Sequence, residues 1–320
     1  MTGFSQRHQH RLKILGLVIL LLSGGLLVSR TDLLSAPSTP SVEEAGISTD
    51  ERIGGGLGSF EFSGAEAVKQ NPIRVWYIAP AHDIATARVL IVMPGARRDA
   101  KSYRDDWIPL VRDRHVLVIV PEFPDDLYDS DAYNLGNLAD SSGDFRPKEQ
   151  WSFTVIESLF DSVKQNTHSQ AEDFNMFGHS AGAQFVHRFV EFTGGDRVHR
   201  AVAANAGWYT VPDDDIDFPY GLDGSPLSEE EMAPAFGTNM RVMLGADDID
   251  TNDELLRHDD GADEQGSTRL ERGLNFYLKA REAADDHSLP FDWSLETVVG
   301  VAHDHSNMAK AASSFLIDVP

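Results

Sequence analysis

The stretch FNMFGHSAGAQFVHRFVEF, residues 174–192, decides how this chain is read. Phe174 to Phe177 has the apolar character of a buried strand. Gly178-His179-Ser180-Ala181-Gly182 follows at once. From Ala181 to Phe192 apolar residues recur at helical spacing, and Gly194-Gly195 closes the run. A G-x-S-x-G string alone says little; its weight comes from the strand before it and the helix after it. Such a turn is too tight for bulk beside the serine, which explains glycine at 178 and 182. The serine is held in strained backbone geometry with its hydroxyl exposed. Ala181 opens the helix, where N–H groups lack intrahelical partners and the dipole favours negative charge. Its amide can therefore donate to an oxyanion forming beside Ser180.

Outward from this turn, short apolar runs alternate with longer helix-like stretches. Phe60 and Phe62, then Ile73 to Ile78, read as leading strands with alternating faces. Val89–Met93 (VLIVM) ends at Pro94-Gly95, and Val116–Val120 (VLVIV) ends at Pro121. Val198–Ala204, Val242–Leu244 and Leu295–Val301 are the later runs. Strands apolar at every position are covered on both faces, as in a parallel sheet. Trp151 to Lys164 carries Phe153, Ile156, Leu159, Phe160 and Val163 at helical spacing, which predicts a crossover helix. The expectation is an α/β fold, with one mainly parallel central sheet flanked by helices on both faces.

Serine at its own pKa is a weak nucleophile. It needs a base, and the base needs an orienting acid. The run Val242–Leu244 leads into Gly245-Ala246-Asp247-Asp248-Ile249-Asp250, which offers Asp247, Asp248 and Asp250 as acids. The last run leads into Gly300-Val301-Ala302-His303-Asp304-His305, which offers His303 and His305 as bases. Asp248 lies 68 residues after Ser180 and His303 a further 55, distances that suit whole strand–helix units. A second oxyanion donor should come from the loop after Met93, at Ala96 or Arg97. Arg97 and Arg98 stand at the expected mouth of the site. They can meet a substrate anion, but pairing with Asp99, Asp105 or Asp106 is the stronger expectation. Trp208 and Tyr209, in the NAGWY segment after the strand following the serine, can border a substrate pocket or pack in the core. His179 reads as a packing or pocket residue, and His187 and His199 as ordinary surface or helix histidines. Residues 122–150 are long, polar and irregular enough to form a lid or rim.

The GHSAG turn, the strand followed by Gly-x-x-Asp at 245–248 and the late Gly-x-x-His at 300–303 together resemble the α/β-hydrolase superfamily. Within it the chain is similar to the bacterial esterases grouped near polyhydroxybutyrate depolymerases and feruloyl esterases, over roughly residues 70–315. The resemblance implies an α/β-hydrolase fold and a serine hydrolase acting on carboxylic esters through an acyl-enzyme. It also implies a triad of Ser180, Asp248 and His303, since the family's acid is usually the third residue after the glycine. Many relatives have His-Gly where this chain has Pro94-Gly95. The donor amide follows the glycine, so Ala96 keeps that role beside Ala181. The chemistry implied needs no cofactor and no metal. A peptidase or amidase on the same scaffold and an inactive tethered binding module are the rival readings.

Charge and the N-terminus bound the setting. The 320 residues carry 27 Lys and Arg against 51 Asp and Glu, a net charge of −24, which opposes binding of nucleic acid through its phosphates. With no cysteine there is no disulfide framework, thiol nucleophile or Cys-ligated zinc. The acid-rich tracts at 213–217 and 247–263 do not match a calcium loop, and no H-E-x-x-H is present. Arg7, Arg11 and Lys13 precede the apolar run Ile14–Val28 in residues 1–30, the layout of an export signal or an uncleaved membrane anchor. As a helix the run reaches about 22 Å against a hydrocarbon core of roughly 30 Å, while no clean small-x-small cleavage site follows it. Residues 31–58 read as a flexible linker and 59–320 as the hydrolase domain. The domain is expected on the periplasmic or extracellular side, released or anchored by a transmembrane helix, and engaging a small or polymeric ester.

Overall fold

The computed structural model describes residues 53–318. The expected export signal or anchor, and most of the expected linker, lie outside the described residues. Among those described, no helix is long and apolar enough to cross a membrane.

The runs of apolar residues become eight strands of one sheet. They are β1 (Gly56–Phe62), β2 (Ile73–Ala79), β3 (Arg88–Met93), β4 (Val116–Glu122), β5 (Phe174–His179), β6 (Val198–Ala204), β7 (Met240–Gly245) and β8 (Ser294–Val298). Their order is β1-β2-β4-β3-β5-β6-β7-β8. β2 runs antiparallel to β1 and β4, and every pair from β4 to β8 is parallel. Two boundaries differ from the sequence expectation. β1 begins at Gly56, inside the stretch read as linker, because its backbone pairs with Ala79 and its neighbours on β2. β8 stops at Val298, since Val299 and Gly300 turn away from the sheet edge.

The helices are α1 (Ala100–Val111), α2 (Ser130–Tyr133), α3 (Ser152–Thr167), α4 (Ala181–Thr193), α5 (Ala233–Phe236), α6 (Asp260–Glu264), α7 (Arg269–Asp286) and α8 (His305–Ile317). Alternation along the strands shows why both faces must be apolar. Val89, Ile91 and Met93 belong to the apolar layer that also holds Val155 and Leu159 of α3, Phe185 and Phe189 of α4 and Phe276 of α7. Leu90 and Val92 point the other way, toward Trp107 of α1 and Met308 and Leu316 of α8. One sheet is thus sandwiched between two helical layers, the α/β-hydrolase architecture.

The strand order locates the site. The crossover from β3 leads to β4 on one side, and that from β5 leads to β6 on the other, so the chain changes direction between β3 and β5. The crevice beyond the carboxyl ends of the strands at such a switch point is where open α/β sheets bind ligands. Met93 pairs with Gly178, and Ala204 with both His179 and Met243, so β3, β5, β6 and β7 end near one level.

Candidate active site

Ser180 leaves β5 at φ 58° and ψ −118°, a left-handed conformation that side chains disfavour. The turn is held by close approach. A Cβ on Gly178 would collide with the Gly182 carbonyl, and one on Gly182 with the Met93 carbonyl. Ala181 is the first residue of α4, whose N-terminus therefore lies directly beside the serine.

His303 joins Ser180 to Asp248. Its Nε2 lies 3.0 Å from the serine Oγ and its Nδ1 2.7 Å from an Asp248 carboxylate oxygen. A neutral imidazole whose Nδ1–H donates to a carboxylate keeps Nε2 as an acceptor, the tautomer that can take the serine proton. Of the three candidate acids Asp248 is the one that meets the histidine. It is buried, while Asp247 and Asp250 are exposed. His305 opens α8, and its Nδ1 is bonded to Asp106 of α1. That bond to Asp106 raises its pKa above the usual histidine value, and it makes no contact with Asp248.

Two residues the sequence reading did not single out hold this geometry. Arg269, at the start of α7 and almost wholly buried, lies 3.5 Å from the second Asp248 oxygen and 3.2 Å from Asp253. It sets a positive charge behind the buried carboxylate. Asn205 staples the two loops together: its Oδ1 accepts the Gly245 N–H at 2.7 Å and its Nδ2 donates to the Ala302 carbonyl at 3.1 Å. An i-to-j bond between loops 40 and 97 residues from Asn205 leaves no periodic trace in a sequence.

Beside Ser180, His179 is buried with its ring 4.6 Å from that of His303 and its Nδ1 3.1 Å from the Tyr103 hydroxyl. Burial, reinforced by His303, His305 and Arg269, pushes its pKa well below the usual value, so it stays neutral. Tyr103 stacks in turn on His305 at 4.3 Å.

Ser180 lies where two arms of a cleft meet. One arm, about 460 Å³, is bordered by Arg97, Tyr103, His179, His303 and His305. The other, about 270 Å³, is bordered by Asn134, Leu135, Gln184, Trp208 and Arg257. Ala96, Ser180, Glu254 and Leu255 border both. Ser130, Asn134 and Leu135 come from the 122–150 segment, which thus forms a rim of the site. A larger depression of about 580 Å³, between Ile216 and Phe276, contains none of these groups.

Of the alternatives the sequence leaves open, Tyr209 takes the place in the core and His187 the place in a helix, and the expected pairing of Arg98 is corrected. Tyr209 lines neither arm; it is buried, stacked on Phe276 at 4.4 Å and packed against His187, because its position points into the core beneath the loop. His187 is a fully buried helix residue, bonded to the Ala183 carbonyl and the Thr210 amide, not a surface group. Arg98 is buried and folds back on its own loop, while the expected acidic partners are engaged elsewhere. Asp99 caps α1, Asp105 pairs with Arg104 and Asp106 with His305. Arg97 borders one arm of the cleft and Trp208 the other.

No family model matches the sequence, and no curated protein matches it. Solved structures do. Poly(aspartic acid) hydrolase-1 from Sphingomonas sp. KT-1 is 39% identical with a TM-score of 0.79, over 82% of this chain and 99% of that one. The poly(3-hydroxybutyrate) depolymerase LpqC from Bordetella parapertussis is 29% identical with a TM-score of 0.77, over 82% and 90%. A fluorophosphonate-binding serine hydrolase of Staphylococcus aureus, 14% identical with a TM-score of 0.54 over 82% and 98%, shares the fold. With a relative this similar over nearly its whole length, the chain belongs to the α/β-hydrolase superfamily and is a hydrolase.

Proposed function

We propose that the protein is a serine carboxylic-ester hydrolase. The observation that carries this reading is the continuous hydrogen-bonded chain from Asp248 through His303 to Ser180. Ser180 Oγ attacks the ester carbonyl while His303 Nε2 takes its proton. The carbonyl oxygen, now negative, is held by the amides of Ala181 and Ala96. Collapse expels the alcohol, which receives the proton from His303. Water then attacks the acyl-enzyme by the same route and releases the acid. Asp248 holds the imidazole tautomer and stabilises its positive charge.

The cleft favours a neutral substrate with groups on both sides of the ester. One arm takes the acyl part and the other the alcohol part. Three carboxylates, Asp99, Asp131 and Glu254, border the two arms against the guanidinium group of Arg97, while Asp253 and Arg257 are paired with Arg269 and Asp259. That balance opposes a polyanion such as poly(aspartic acid), on which the 39% identical relative acts, and suits an uncharged polyester or a small ester. The basic N-terminal segment and the apolar run after it support export, with the domain released or tethered outside the cytoplasm.

The test is hydrolysis of a chain-length series of p-nitrophenyl esters by the wild type and by Ser180→Ala, beside matched anilides and soluble poly(aspartic acid). The expected result is ester turnover that falls about 10⁴-fold or more in the variant, with slower or no cleavage of amides. Faster cleavage of the amides would shift the assignment to an amidase. A wild type inert to every substrate and to a fluorophosphonate probe would make the domain a binding module.

A further inference from the structure

Arg98 is a buried arginine that neither faces solvent nor touches the triad. It sits at φ 53°, in the left-handed region that a long side chain disfavours. Its guanidinium lies over the Tyr133 ring at 3.8 Å and donates to the carbonyls of Ala96 at 3.0 Å and Gly95 at 3.4 Å. The Gly95 carbonyl also accepts the Arg98 backbone N–H at 2.9 Å. Tyr133 completes the set, since its hydroxyl donates to the Pro94 carbonyl at 2.7 Å. All three carbonyls of Pro94-Gly95-Ala96 are therefore pinned by Arg98 and Tyr133, that of Gly95 by the Arg98 backbone N–H as well as by its guanidinium.

A trans peptide carries its C=O and the next N–H on opposite sides. Fixing the Gly95 carbonyl toward Arg98 therefore fixes the Ala96 N–H away from it. That amide is the oxyanion donor of the proposed mechanism, and Ala96 shares both arms of the cleft with Ser180. A flip of the Gly95–Ala96 peptide would turn the donor away from the oxyanion and present a carbonyl dipole of the wrong sign. Glycine at 95 makes such a flip sterically easy, so the loop needs an external hold. Burial pulls the Arg98 guanidinium below the usual arginine range, with Tyr133, Asp125 and Asp129 acting the other way. A charge is buried only at considerable cost. Here it is met by an aromatic face and two carbonyl oxygens.

We infer that Arg98, seated on Tyr133, is a positioning residue that locks the Gly95–Ala96 peptide in the orientation required to stabilise the oxyanion. The inference rests on the proposed ester hydrolysis and deepens it. A donor that is lost outright costs about 10²–10³ in rate. One that is only released to flip costs less, so Arg98→Met should lower kcat by about 10- to 100-fold.

The experiment measures kcat and KM for a p-nitrophenyl ester, the inhibition constant of an arylboronic acid that forms a tetrahedral adduct on Ser180, and thermal stability. The proteins are wild type, Arg98→Met, Arg98→Lys and Tyr133→Phe. The expected result for Arg98→Met is a kcat loss with KM within about twofold, and boronate affinity weakened by a similar factor. Arg98→Lys, which keeps a donor over the ring, should recover part of both. Tyr133→Phe, which frees only the Pro94 carbonyl, should fall between wild type and Arg98→Met. A lowered melting temperature with kcat and boronate affinity unchanged would make Arg98 a packing residue and overturn the inference. A raised KM with unchanged kcat would overturn it too, because Arg98 would then be reading the substrate. If Arg98→Met does not fold, Arg98→Lys and Tyr133→Phe decide by the same readouts. A wild type inert to esters and to the boronate would fail the reading of the site, and this inference with it.

Discussion

Removing the Asn205 side chain tests whether the triad's alignment depends on the staple between the acid loop and the histidine loop. Asn205→Gly is the informative variant, because Asn205 has φ 52° and glycine adopts that conformation without strain. The change deletes two hydrogen bonds and leaves the Gly245 N–H and the Ala302 carbonyl without their partner, in a position where Asn205 itself is 1% exposed. Each orphaned buried group costs about 1–3 kcal/mol and relief of the positive φ returns about 1–2 kcal/mol, so the fold should lose a net of about 2 kcal/mol. For a domain of this size that lowers the melting temperature by about 4–8 °C. The kinetic effect should be bounded, because Ala246 N–H still bonds the Val298 carbonyl and Asp247 N–H the Val301 carbonyl. The loops can drift by a fraction of an ångström but not separate. A displacement of about 1 Å at a catalytic group costs about 10², so kcat should fall by about 10- to 100-fold. Asn205→Asp separates the two halves of the staple, since it keeps the acceptor for Gly245 and sets a carboxylate against the Ala302 carbonyl. Ester turnover and thermal unfolding of the three proteins are the assays. A glycine variant with wild-type kcat, whatever its melting temperature, would refute the claim that Asn205 aligns the triad.

Three further outcomes are expected. Ser180→Gly should abolish turnover yet raise the melting temperature, because it relieves a non-glycine residue at φ 58°, worth about 1–2 kcal/mol; differential scanning calorimetry beside Ser180→Ala isolates the strain. Trp208→Ala should shift the chain-length optimum of an ester series, whereas Tyr209→Phe, in the core, should leave that profile where it is. Stability against pH should report two histidines with opposite signs. His179 titrates low in the folded state, so its contribution is lost as pH falls below about 6.5, and His179→Asn should flatten the acid limb of the melting-temperature profile. His305 titrates high through Asp106, so its contribution is full below about 6.5 and is lost as pH rises through the folded value. The gap between wild type and His305→Gln should therefore be wider at pH 6 than at pH 9.

What the sequence made legible follows from what leaves a local signature. Val89–Met93 and Val116–Val120 are apolar at every position because both their faces are buried, so these strands stand out by inspection, and the elbow is recognisable because its steric demand is met by two glycines within five residues. Spacing could not separate Asp248 from Asp247 and Asp250, because only the turn after β7 decides which carboxylate faces inward. Tyr209 stays open between pocket and core in the sequence, and Arg98 is expected at the mouth of the site, for one reason. Composition identifies a large side chain near the site but not the side of the loop on which it lies. Arg269 and Asn205 were missed because their work is done by side chains that reach across long sequence separations, a relation with no period.

The same distinction explains where the backbone is strained. Arg98, Ser180 and Asn205 all have positive φ, and they follow the carboxyl ends of β3, β5 and β6, three adjacent strands. At each of these ends the chain must leave the sheet sharply, so that a functional group is presented at the edge rather than carried along the strand. A left-handed residue makes that turn at a cost of about 1–2 kcal/mol. Three of them together cost about 3–6 kcal/mol, a sizeable part of the 5–15 kcal/mol margin of a typical domain. Glycine would remove that cost at any of the three. At Arg98 and Asn205 the side chain offsets it, through two carbonyl bonds and an aromatic face in one case and the loop staple in the other. Ser180 has no such compensation in the fold: its side-chain partner is His303, the base of the proposed mechanism. The strain at 98 and 205 is thus met locally, whereas the strain at 180 is carried by the core on behalf of the reaction.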